Sequence, residues 1–189
     1  SVSQHGIVDF SLFNFDSLFF SSLLGLATVL VFAGAFSSSV ATSAQAAQLQ
    51  IDVAIPQVTE GEAHWPYVAV WIENEQEQPV RLVEIWRQKP DWLKDLRRFW
   101  RKIGRSDKAL VDARTGATKG PGEYRLVWNG QDNQGVDVAP GKYVLVVEAA
   151  RENGGRNMVK QAFDWNGSAV NFSLAAGSEL GEIKARRVD

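Results

Sequence analysis

The seven residues Asp112-Ala113-Arg114-Thr115-Gly116-Ala117-Thr118 carry a carboxylate, a guanidinium and two hydroxyls around one glycine. Asp112, Thr115, Gly116, Ala117 and Thr118 satisfy the pattern Asp-x-x-Ser/Thr-Gly-Ala-Thr/Ser. At ordinary residue usage, five such positions coincide about once in 10³ chains of this length. Thr118 follows two small residues, so its hydroxyl has a narrow approach, and Arg114 and Lys119 flank it. The plainer reading is a turn between two strands, since Thr, Gly and Asp favour turns. Other reactive centres are scarce. The chain has no cysteine, which excludes disulfides, Cys-ligated zinc, iron–sulfur clusters and thiol nucleophiles. His5 and His64 are its histidines, too few for a His-rich metal site. There is no Gly-x-Ser-x-Gly elbow and no visible nucleophile–base pair, which argues against a hydrolase. Asp132-Asn133-Gln134-Gly135 lacks the spacing and closing Glu of a calcium-binding EF-hand loop.

The elements that must hold this segment begin after residue 46. Leu18 to Phe36 is apolar and uncharged, with a core at Leu23–Phe32, and Ala44-Gln45-Ala46 is an A-x-A site. This predicts a cleavable signal peptide over 1–46, although no Lys or Arg precedes the apolar run. The remainder is expected to lie in the periplasm with no membrane span. The chain's formal charge is −2, and Asp9 and Asp16 are the acids of the leader, so the mature chain sums to zero. That balance gives no sign of nucleic-acid binding.

Within the mature chain, Leu49–Ile55 alternates apolar and polar residues and reads as a strand. Tyr67–Glu73 and Val80–Trp86 read as a hairpin across the polar turn 74–79. Asp91 caps the one expected amphipathic helix, 91–103. It buries Trp92, Leu96, Phe99 or Trp100, and Ile103, and carries Lys94, Arg97, Arg98, Arg101 and Lys102 on a solvated face. Ala109-Leu110-Val111 reads as a short strand leading into Asp112. Strands follow at Tyr124–Trp128 and Lys142–Ala150, then Met158–Trp165 after the Asn153-Gly154-Gly155 turn, and Ala169–Leu174. The tail 177–189 reads as polar and frayed. The pattern predicts a mostly β fold, an immunoglobulin-like antiparallel β-sandwich over 47–176 with one inserted amphipathic helix.

Resemblances extend this reading. Gly122–Gly135 with Pro140–Ala149 looks like the paired strands of bacterial immunoglobulin-like modules, such as a repeat of the flagellar hook-capping protein. The heptapeptide resembles the target of the bacterial FAD:protein FMN transferase, which links FMN through its phosphate to the last hydroxyl. Pro66–Glu73, the helix with Leu96-Arg97-Arg98-Phe99-Trp100, the Asp112–Thr118 segment with Pro121-Gly122, and Val147–Glu152 are similar to domain of unknown function 2271. Members of that family look to be encoded near PepSY-type membrane reductases and the flavin transferase, often in iron-acquisition settings. The resemblance implies a covalently FMN-modified electron carrier in the periplasm, working with that transferase and a membrane-bound reductase. Thr118 is then the acceptor, Thr115, Gly116 and Ala117 shape its loop, and Asp112 orients the loop or assists transfer in the partner. Arg114 and Lys119 would offset the phosphodiester. The alternative is a non-catalytic immunoglobulin-like accessory or binding module. The chain has seven tryptophans. Six fall in expected elements, so most read as core, and one or two near the loop could stack on an isoalloxazine ring, without the sequence singling out which.

Overall fold

A computed structural model describes residues 46–57, 64–175 and 177–189. The expected leader falls outside them, apart from Ala46. The chain is mostly β, in two sheets.

The first sheet has the order β5-β1-β9-β8, with β1 Gln48–Ile55, β5 Gly122–Trp128, β8 Asn171–Leu174 and β9 Ile183–Val188. All its pairings are antiparallel. The alternation in β1 decides its orientation. Leu49, Ile51, Val53 and Ile55 point inward, and the residues between them face outward. The second sheet has the order β4-β3-β2-β6-β7, from β2 Tyr67–Asn74, β3 Pro79–Trp86, β4 Thr115–Gly116, β6 Gly141–Ala150 and β7 Arg156–Trp165. It is antiparallel except for the short parallel pairing of β4 with β3.

Both faces of the second sheet are covered, which is why β2 is an almost unbroken apolar run. Val68, Val70 and Ile72 join Leu49, Ile51, Leu126, Trp128 and Ile183 in a core shared by the two sheets. Tyr67, Ala69 and Trp71, one residue out of phase, join Leu82, Ile85 and Val146 in a second core beneath a helical layer.

That layer differs from the helix expected over 91–103. Pro90–Asp95 is a 3-10 turn, α1 is the single turn Arg97–Phe99, and Trp100–Gly104 widens into a π turn. Leu93, Leu96, Phe99 and Ile103 reach the second core, while Trp92 is only half-buried. Tighter winding over 90–95 brings Leu93 inward, three residues ahead of Leu96. Asp91 is not the cap; Lys89 precedes the turn, with no side-chain hydrogen bond. The cap of α1 comes from the sheet instead. The Glu148 carboxylate, fully buried on β6, accepts from Arg98 N at 3.1 Å and Phe99 N at 2.7 Å. Arg156 supplies its counter-charge at 2.6 Å. Arg98 is likewise not a solvated residue, because its guanidinium reaches the buried Glu73 carboxylate at 2.6 Å.

Three further expectations are corrected. Ala109-Leu110-Val111 is helical, inside α2, Lys108–Ala113. Asp107 caps that helix by accepting from Leu110 N at 2.9 Å, which outweighs a three-residue apolar run. The tail is not frayed, because β9 lies inside the first sheet between β1 and β8, burying Ile183 and Ala185. The segments likened to a strand pair separate: β5 pairs with β1, and β6 with β2 and β7. The β2–β3 hairpin and the Asn153 turn between β6 and β7 form as expected.

Candidate functional site

The Asp112–Thr118 segment crosses three local structures. Asp112 and Ala113 end α2. Thr115 and Gly116 form β4, with Thr115 beside Ile85 and Gly116 beside Trp86. Two backbone bonds clip this strand to β3, Ile85 N donating to Arg114 O at 3.0 Å and Arg87 N to Gly116 O at 2.9 Å. Ala117 is exposed and Thr118 half-buried in the connection to β5.

The two hydroxyls of the motif have different situations. Thr115 Oγ1 donates to Val111 O at 2.6 Å, which ties the strand back to α2. Thr118 has no side-chain hydrogen bond among the described residues. Asp112 is largely exposed, and its Oδ1 accepts from Arg87 Nη2 at 2.6 Å. That contact joins the end of α2 to the end of β3. Gly116 has no unusual backbone, and a side chain there would fit closely, with the Glu84 carboxylate having to shift slightly. A Cβ there would lie 3.3 Å from Glu84 Oε1 and 3.5 Å from Trp86 Cδ1.

Beyond Thr118 the chain is held by aromatic groups. The Tyr124 hydroxyl donates to Gly120 O at 2.9 Å, and the Tyr124 ring meets Trp86 edge-on at 5.4 Å. Trp86 Nε1 donates to Glu84 at 2.7 Å. Lys119 Nζ sits 5.9 Å from the Trp86 ring centroid and 5.8 Å from that of Tyr124, within cation–π range. Arg114 contributes to a positive neighbourhood. Burial, and then the charge of Arg114, push the Arg81 guanidinium below its usual value, against the pull of Asp132. The Asp132 carboxylate itself accepts from Gln134 N and Val136 N, the role of a turn residue.

Two open grooves border the segment. One of about 260 Å³ runs along Val83, Glu84 and Ala113–Gly116. A larger one, about 590 Å³, lies between the helical layer and α2, where Arg87, Lys94, Trp100, Lys108 and Asp112 line it. Among the described residues, no three His, Cys, Asp or Glu side chains gather as a metal site requires.

The five motif residues thus lie within one seven-residue segment, but only Ala117 and Thr118 form a loop. Arg87 belongs to the site and carried no sequence signal, since it lies 25 residues from Asp112. Trp65 is a second neighbour that spacing could not reveal. Its ring packs against Gly120, where a Cβ would come within 3.2 Å of Cε2.

Among the described residues no helix is long and apolar enough to cross a membrane. No curated protein and no solved structure matches the chain. The sequence profile of a family described as predicted periplasmic proteins, DUF2271, matches residues 48–182. The matched stretch holds every strand except β9, and all of the Asp112–Thr118 segment. On that match the chain is periplasmic and belongs to the DUF2271 family.

Proposed function

We propose that this protein is a covalently FMN-modified electron carrier of the periplasm, with Thr118 as the point of attachment. The observation that carries the reading is the contrast between the two threonines. Thr115 is engaged with Val111 O, whereas the Thr118 hydroxyl is unengaged among the described residues and follows an exposed alanine. In the transfer, the Thr118 oxygen attacks the FMN-side phosphorus of FAD bound in the transferase. The pyrophosphate P–O bond breaks, AMP leaves, and the hydroxyl proton passes to the transferase or to water. The product is a phosphodiester, and no oxidant or reductant is consumed.

The residues around Thr118 suit that product. Lys119 and Arg114 stand on either side in sequence, and Lys119 is held by two rings, so positive charge is in place for the phosphodiester. The parallel clip of β4 fixes one end of the loop, and the Tyr124–Gly120 bond fixes the other. Asp112, paired with Arg87, orients the start of the segment. Bound flavin supplies the redox chemistry, and a membrane-bound reductase is the electron partner. The two sheets act as an immunoglobulin-like frame for the loop.

Co-production with an active FAD:protein FMN transferase tests this. Intact-mass analysis should show one FMN adduct on wild type and none on Thr118→Ala. Thr115→Ala should keep the adduct at reduced yield, because it loosens the clip without removing the acceptor. Wild-type protein left unmodified beside active transferase and exported flavin overturns the reading. A non-catalytic accessory module then takes its place, docking through the exposed cations Lys94, Arg97 and Arg101.

A further inference from the structure

We propose that Trp65 is the platform on which the isoalloxazine ring stacks; this rests on the attachment of FMN at Thr118. Trp65 is 54% exposed, the one exposed aromatic side chain among the described residues. Trp71, Trp86 and Trp128 are fully buried, and Trp92, Trp100 and Trp165 are half-buried against the cores. An indole buries a large apolar area when it is covered, and leaving one in water forgoes that gain.

Position supports the assignment. The indole lies against Gly120, where a Cβ would stand 3.2 Å from Cε2, 3.3 Å from Cζ2 and 3.6 Å from Nε1. Gly120 is two residues from Thr118, so their Cα atoms are separated by at most about 7 Å. A ring tethered through a ribityl phosphate at Thr118 can therefore fold back over the indole. Trp65 is also held in place. It is followed by the buried Pro66, and it shares a recess of about 100 Å³ with Ile55, Pro56 and Pro121. Pro66 restricts the backbone of Trp65 just before it, so less is lost when a second ring settles on the indole. The chemistry matches as well. An indole is electron-rich and the isoalloxazine is electron-poor, so offset stacking is favourable. Trp86 cannot serve, because it is buried and already faces Lys119 and Tyr124.

Flavin emission provides the test, because a stacked indole quenches excited flavin by donating an electron to it. Wild type, Trp65→Phe, Trp65→Ala and Trp100→Phe are co-produced with the transferase and matched for adduct content by intact mass. The expected result is weak flavin emission in wild type and in Trp100→Phe, and emission several-fold stronger in Trp65→Ala and Trp65→Phe. Equal emission in wild type and both Trp65 variants, all carrying the adduct, overturns the platform while leaving the attachment intact. Strong emission in Trp100→Phe alone moves the ring to the larger groove and also overturns it. An absent adduct on wild type is visible by mass before any emission is read; it removes the attachment and the platform with it. Should Trp65→Ala fold poorly, Trp65→Phe keeps the comparison.

Discussion

At the scale of single residues, charge is placed by neighbours on adjacent strands. Asp52 on β1 stands opposite Arg125 on β5, and the two meet at 2.7 and 3.1 Å. The hydrogen bond from Arg125 holds the Asp52 carboxyl below its ordinary value, with Arg186 and Lys184 adding to the pull. A carboxylate depressed in the folded state contributes stability above its unfolded pKa and loses that contribution as pH falls through the lower folded value. Asp52→Asn should therefore cost at most about 1 kcal/mol at neutral pH, because the pair is partly exposed. The gap from wild type should close as pH falls below about 4. Urea midpoints across that range check it, and a gap that persists unchanged into acid would count against the pairing. Residue types alone pointed to Asp112, Thr115, Gly116, Ala117 and Thr118. They could not tell one hydroxyl from the other, since that depends on Val111 O lying within reach of Thr115.

At the scale of elements, period-two patterns were legible and long-range decisions were not. The alternation of β1, the β2–β3 hairpin and the β6–β7 turn all stood in the sequence. The helical layer was legible only as a region. Its α1 turn is capped by Glu148, roughly fifty positions away in sequence, and no local pattern announces such a partner. β9 was missed because Lys184, Arg186 and Arg187 make the tail look solvated, while Ile183 and Ala185 are enough to bury one face. This leads to a sharp expectation. Removing residues 183–189 should strip β1 of a neighbour and abolish cooperative unfolding. Loss of a frayed tail would leave the melt unchanged. A thermal melt followed by circular dichroism decides between them.

At the scale of the whole molecule, one sheet shared by two cores should set the order of stability. β2 lies between β3 and β6 and is buried on both faces, whereas β4 is held by two residue pairs at an edge. Amide hydrogen exchange should be slowest in β2 and fastest, among the strands, in β4. Protection in β4 equal to that in β2 would mean that the clip is part of the global core. The layout of β1 has a final consequence. Gln48 at its start pairs with Val188, and Ile55 at its end pairs with Gly122. The domain's first strand and its last residues thus come together at one pole. The Thr118–Gly122 connection lies at the other pole, about 24 Å away along the strand. A handle joined just before Gln48 or after Val188, whether an affinity tag, a surface linker or a fused partner, would therefore sit at the pole away from the Thr118–Gly122 connection.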